Sequence, residues 1–189
     1  YCYCLWRLFS MSTGKTKSNV ERTNFDEHYL NLEGDCGFLY SLVDSPMHSH
    51  LDFYEFSLIT AGSFINEYRG QRRVLNKNTL VFFGLNESHA MMKSHPDSIH
   101  FTFFVKRDFF ENFCQQHFPL HPEMLSAHYI EEHLSYEQAD AITLIFNTIA
   151  NSIGQDHLEL FRFFLYTALF YCFINNIIWI NRNIRTNST

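Results

Sequence analysis

Two regimes of hydrophobic spacing divide the chain. From Gly37 to Val105 the apolar residues form short aromatic and β-branched runs broken by turn residues, the pattern of strands. These runs predict strands over 38–43, 54–60, 63–68, 73–75, 80–83 and 98–106. Tyr68-Arg69-Gly70-Gln71 predicts a tight hairpin, because Gly70 takes a positive φ without a Cβ penalty. In the last run Ile99, Phe101, Phe103 and Val105 alternate with His100, Thr102 and Phe104, which makes one face apolar and the other mixed. Many short strands at this spacing imply an antiparallel sandwich or barrel.

After Arg107 the period lengthens. Asp108 predicts the cap of a short helix through Gln116, with Phe109, Phe113 and Cys114 facing inward, ended by Pro119 and Pro122. Ser135-x-x-Gln138 has the form of a capping box before an amphipathic stretch, 136–153, whose inward residues are read as Ala141, Leu144, Ile145 and Thr148. Gly154 closes that stretch and Asp156 caps the next helix. The expected organisation is mainly β with C-terminal helices. Residues 1–24 are expected as a flexible or extraneous leader, 25–106 as the barrel, 107–180 as the helical part and 181–189 as a frayed tail.

Composition narrows the classes. With 46% apolar and 18% charged residues, four prolines and seven glycines, the 189-residue chain can bury a core, which excludes disordered and collagen-like classes. Lys and Arg number 14 against 20 Asp and Glu, a net charge of −6 that does not suit a phosphate-neutralising surface. If the function involves DNA, its reader is expected outside this chain. Five cysteines at irregular spacing imply a reduced, cytoplasmic compartment, and Cys2-x-Cys4 lacks the second pair of a zinc site. The uncharged stretch 163–180 sits at the lower edge of membrane-spanning length. Thr167, Asn175, Asn176 and two tyrosines interrupt it, so a buried or subunit-interface helix is the expectation rather than a membrane span.

Most of the eleven histidines stand alone in polar or helix-end surroundings. His48-Ser49-His50 does not, since Glu55 and Gly62 follow with the spacing H-x-H-x4-E-x6-G. Two histidines two apart on a strand share a face. Glu55 joins that face only if the chain bends between Asp52 and Tyr54. His89, after the turn Gly84-Leu85-Asn86, starts a strand that could lie beside the first. Three imidazoles and one carboxylate are a donor set for one divalent ion: zinc, nickel, manganese or iron. The same groups could instead line a cavity and hydrogen-bond a ligand with no metal. Tyr54, Phe82 and Phe104 are candidates to stack on a sugar ring, with His100 as a polar partner, although each aromatic also suits a core.

These residues resemble the two cupin motifs, G-x5-H-x-H-x(3,4)-E-x6-G and G-x5-P-x-G-x2-H-x3-N. The first matches at His48, His50, Glu55 and Gly62, with Leu42 in the leading glycine position. The second keeps His89 but carries Asn78, Gly84, Asn86 and Lys93 at its other positions. The wording from His48 to Phe56, then Gly62, Leu75, Leu80-Val81-Phe82-Phe83 and His89, resembles the N-terminal sensor domain of AraC-type transcriptional regulators. The likeness is strongest to those controlling chitobiose or other oligosaccharide operons, and Phe109-Phe110 and the two long helices fit it as well. It covers roughly residues 30 to 175.

The resemblance implies a cupin-like antiparallel β-barrel (a double-stranded β-helix) that binds a small-molecule effector, a sugar. It implies a homodimer formed through the helices, contact with DNA only through a C-terminal helix-turn-helix part outside this chain, and no membrane partner. The protein is then no enzyme. The alternative is a small metal-dependent cupin enzyme, a dioxygenase or sugar isomerase, with open metal positions and His100 as proton shuttle.

Overall fold

The computed structural model describes residues 21–23, 35–41, 44–117, 129–151 and 167. The helix expected from Asp156, the stretch 163–180 and both chain ends lie outside the described residues. Among those described, no helix is long and apolar enough to cross a membrane.

The described residues form ten strands: β1 (Glu21–Thr23), β2 (Cys36–Ser41), β3 (Ser45–His50), β4 (Phe53–Ala61), β5 (Ser63–Tyr68), β6 (Gln71–Asn76), β7 (Thr79–Phe83), β8 (His89–Lys93), β9 (Ile99–Lys106) and β10 (Tyr129–His133). Helix α1 (Arg107–His117) follows β9 directly and α2 (Tyr136–Asn151) follows β10. The strands form two five-stranded sheets, β1-β3-β8-β5-β6 and β10-β7-β4-β9-β2. Every pairing is antiparallel except β1 with β3. This is a mostly antiparallel β sandwich of two sheets, with one helix between β9 and β10 and a second after β10. Two strands lie outside the expected barrel span of 25–106. Glu21–Thr23 pairs in parallel with His48–His50, and Tyr129–His133 extends the second sheet beyond β7. The segment Tyr129-Ile130-Glu131-Glu132-His133 gives no strand signal in sequence, because an edge strand with two acidic residues lacks an apolar alternation.

The turns follow from backbone sterics. Arg69 (φ 50°) and Gly70 (φ 72°) are both left-handed between the paired residues Tyr68 and Gln71, the geometry of a two-residue hairpin loop. Gly62 (φ 64°) lets the chain pass from β4 to β5 against Ser98, where a Cβ would come within 2.4 Å of Ser98 Oγ and 2.9 Å of Ser98 Cα. Asn78 (φ 67°) and Asn86 (φ 60°) also adopt the left-handed conformation. These are the two positions where the second motif has glycine, and asparagine tolerates that conformation better than other residues with a Cβ.

Strand β4 is buried on both faces, and this divides the core. Tyr54, Phe56 and Leu58 join Phe82, Phe103 and Val105 under Phe110, Phe113 and Cys114 of α1 and Ile142, Ile145 and Phe146 of α2. On the other face, between the sheets, Ile59 packs with Phe64, Leu75, Val81, Phe83 and Met91. Sheets covered on both sides read as near-continuous apolar runs, which is how 53–59 and 79–83 read.

In α1 Phe113 and Cys114 are buried as expected, while Phe110 rather than Phe109 completes the inward face, with Phe109 at the margin. Helix α2 differs in phase from expectation. In α2 the buried stripe is Ala139, Ile142, Ile145 and Phe146, while Leu144 is 68% exposed. The stripe runs at i, i+3, i+6 and i+7, and Phe146 stacks on Phe101 at 4.2 Å, which sets the rotation of the helix. The capping box is present: Ser135 Oγ accepts from the Gln138 amide at 3.3 Å, and the Ser135 amide donates to Gln138 Oε1 at 2.9 Å.

Gly62→Ala is expected to cost about 1–3 kcal/mol in urea unfolding, from backbone strain and the Ser98 approach together. Gly70→Ala is the control. It carries the same positive φ with nothing within 4 Å of the added Cβ, so its smaller loss isolates the close approach.

Candidate metal and ligand centre

Strand pairing brings the histidines together. His48 stands opposite His89 in the antiparallel pairing of β3 with β8, with ring centroids 4.3 Å apart. His50, two residues along β3, shares that face, at 4.9 Å from His48 and 5.1 Å from His89. The chain then bends at Leu51-Asp52, and β4 begins at Phe53 in the other sheet. That bend answers the parity problem of Glu55, which reaches the histidines from the facing sheet. The donor atoms of His48, His50, Glu55 and His89 all lie within 4.8 Å of one another, and His50, Glu55 and His89 are buried.

Neighbouring groups orient each donor. His48 Nδ1 donates to the Pro46 carbonyl at 2.7 Å and His89 Nδ1 to the Glu87 carbonyl at 3.2 Å, which turns both Nε2 atoms toward the centre. Phe83 stacks on His89 at 3.5 Å and Phe53 on His50 at 4.2 Å, fixing the ring planes. Glu55 Oε2 lies 3.1 Å from His50 Nε2 and 3.7 Å from His89 Nε2. Glu55 Oε1 accepts from the Ser57 hydroxyl at 2.7 Å. Burial alone would raise the Glu55 carboxyl, but the adjoining His50 and His89 rings outweigh it and hold the group well below the usual carboxylate range. Burial, reinforced by His89, lowers His48 to about 4, so its imidazole is neutral and able to ligate. Three imidazole nitrogens and one carboxylate oxygen around a buried point fit a divalent first-row ion chemically. Such an ion would supply positive charge and open coordination positions.

The four candidate ligand residues divide. His100 and Phe104 face the space between the sheets: His100 contacts Phe64 at 4.7 Å, and Phe104 meets Phe53, the residue stacked on His50, at 5.5 Å. Tyr54 and Phe82 lie on the opposite side of their sheet. The Tyr54 hydroxyl donates to Glu111 of α1 at 3.0 Å, and Phe82 stacks on Tyr54 at 5.7 Å beneath Phe110. Neither is brought to the histidines, because each is one residue out of phase with the inward positions Glu55, Val81 and Phe83. Ser57, Thr102, Phe53 and Phe83 were not singled out from sequence. Period-two alternation from Glu55 points directly at Phe53 and Ser57.

Added zinc or nickel is expected to raise the melting temperature. An ion at a hundred times its Kd contributes about 2.7 kcal/mol, and His50→Ala, His89→Ala or Glu55→Gln should remove most of that gain together with the metal found by elemental analysis. Stability should also fall in acid. His48 and His100 sit at about 4 in the fold against 6.5 for the free side chain, so the unfolded chain takes up protons first. Their contribution is complete above about pH 6.5 and is lost toward about pH 4, on the order of 3 kcal/mol for each. Urea titrations of the chelator-treated protein at about pH 7 and pH 5 measure this, and His100→Gln should flatten the slope.

No family profile matches the chain, and no curated protein is similar to it in sequence. Solved structures do resemble it. Apo ToxT K231A from Vibrio cholerae strain SCE256 superposes with a TM-score of 0.55 at 10% identity, over 73% of this chain and 55% of that one. ToxT from Vibrio cholerae O395 bound to (E)-4-(8-methylnaphthalen-1-yl)but-3-enoic acid gives a TM-score of 0.50 at 7% identity, over 70% of this chain and 55% of that one. The chain thus spans about half the length of these neighbours, and what it shares with ToxT, an AraC-family regulator, is the fold.

Proposed function

We propose that the chain is the effector-binding and dimerising domain of an AraC-type transcriptional regulator. The observation that carries the reading is the two-sided burial of β4. Glu55 and Ser57 face the histidine centre while the adjacent Tyr54 and Phe56 pack beneath α1, with the Tyr54 hydroxyl bonded to Glu111. A ligand that shifts β4 by a fraction of an ångström therefore acts on the helices through close-packed side chains. Differential binding to two helix positions is all that such a switch requires.

The effector is a small molecule, a sugar in our reading, held near His100 and Phe104 beside the tetrad. The tetrad holds one divalent ion that organises this end of the interior. The helices supply a homodimer interface, a role that suits the exposed Leu144 (68%) and Tyr136 (61%) on α2. DNA contact falls to another part of the whole regulator, since this chain's charge of −6 does not suit phosphate. The site is cytoplasmic in this reading. The three-histidine, one-carboxylate set favours one competing reading, a metal-dependent cupin enzyme.

Thermal-shift titration with a panel of mono- and disaccharides, and with carboxylic acids as a second arm, tests the proposal. At least one compound is expected to raise the melting temperature in a saturable way. A flat response to every compound would remove the effector role, and turnover with stoichiometric iron or manganese would establish the enzyme instead. Sedimentation should show a dimer that Leu144→Arg converts to a monomer. A wild-type monomer at high concentration would remove the dimer.

A further inference from the structure

Behind the tetrad, the interior holds a chain of side-chain hydrogen bonds that no strand pairing requires. Ser57 Oγ donates to Glu55 Oε1 at 2.7 Å and lies 2.9 Å from Thr102 Oγ1, which lies 3.2 Å from His100 Nδ1. All four residues are buried. The register explains the alignment, since Ser57 pairs directly with Thr102 across β4 and β9, with Glu55 and His100 two residues away on the same face.

The direction of the chain is determined. Ser57 has a single hydroxyl proton and gives it to the carboxylate, so its oxygen accepts the proton of Thr102. Thr102 then has none left for the ring, and its oxygen accepts from His100 Nδ1–H. The tautomer of His100 follows: Nε2 is a bare lone pair. That atom is buried and has no hydrogen-bond partner among the described residues, in a residue only 4% exposed. Burial lowers the ring to about 4, so a second proton does not fill the lone pair near neutrality.

Asn66 repeats the pattern. Its Nδ2 donates to the Tyr129 hydroxyl oxygen at 3.1 Å, Tyr129 donates onward to Glu131 at 2.8 Å, and Asn66 Oδ1 is left without a partner. Outside the tetrad, the unmet buried side-chain atoms among the described residues are these two acceptors. A buried acceptor lacking a donor costs free energy that an incoming donor returns.

We propose that His100 Nε2 anchors an interior subsite for an alcohol hydroxyl of a neutral small molecule, with Ser57 and Thr102 holding the imidazole in the accepting tautomer. This rests on the effector-binding reading and names the ligand chemistry of that site. A carboxylate would set acceptors against an acceptor. An ammonium group would bring a charge into this buried interior, where His100 is 4% exposed, at a large desolvation cost. A hydroxyl supplies the missing proton without charge. His100 and Thr102 are thus specificity-determining residues, the second acting through the first.

Long-range proton–nitrogen spectra of the full 15N-labelled chain test this, with glycerol and D-glucose as hydroxyl probes and decanoate as the carboxylate probe. His100 is expected as the Nδ1–H tautomer, with an Nε2 resonance that moves in titrations with the polyols and stays in place with decanoate. Thr102→Val should weaken the polyol titration roughly tenfold through loss of the tautomer lock. The proposal is overturned if wild-type His100 carries its proton on Nε2, or if neither polyol moves that resonance. Should decanoate raise the melting temperature while Nε2 ignores both polyols, the effector reading stands and the subsite falls. Should no probe alter either quantity, the subsite falls, and the effector reading is decided by the wider panel of saccharides and carboxylic acids.

Discussion

Glu55 is a carboxylate withdrawn from water between two sheets, and a buried charge persists only where hydrogen bonds and opposite charge replace its hydration. His50 and His89 supply that replacement on Oε2, and Ser57 supplies it on Oε1. The surrounding architecture follows from this requirement. β3 and β8 must pair so that His48 opposes His89, the chain must bend at Leu51-Asp52 to enter the facing sheet, and β9 must place Thr102 behind Ser57. A polar network this deep specifies one register, since a slip by one residue would bury Tyr54 or Phe56 in its place and strand the carboxylate.

The same strand couples that polar centre to an apolar one. Residues of β4 alternate between the histidine side and the aromatic cluster beneath α1 and α2, so neither side can repack without the other. Close-packed interiors respond to such demands by switching between discrete arrangements rather than by smooth deformation. This gives physical content to the proposed sensing role: the interior and the helices share the two faces of one sheet.

Much of the centre was legible in spacing. His-x-His on a strand, a glutamate beyond a bend and a histidine opening a neighbouring strand converge because strand periodicity is strict. The apparent erosion of the second motif also has a conformational reading. Asn78 and Asn86 perform the backbone task of the glycines they replace, with φ of 67° and 60°. Less was legible where both faces of an element are buried. In 53–59 and 79–83 hydrophobicity does not tell inside from outside, so Tyr54 and Phe82, candidates for the cavity, lie instead under the helices. The phase of α2 is hidden for a related reason, since Leu144 is as apolar as Ile142 and tertiary packing, including the Phe101–Phe146 stack, separates them.

Local physics in the sequence was enough to determine the turn at Arg69-Gly70, the cap at Ser135, the change from strand to helix at Arg107 and the shared face of His48 and His50. Each depends on a few neighbouring residues and on fixed backbone geometry. Tertiary structure alone decided which strand lies beside which, that Glu55 arrives from the opposite sheet, and that Ser57 and Thr102 extend the carboxylate to His100. These depend on contacts between residues far apart in the chain, where several pairings satisfy the local rules and only the packing of both cores together selects one.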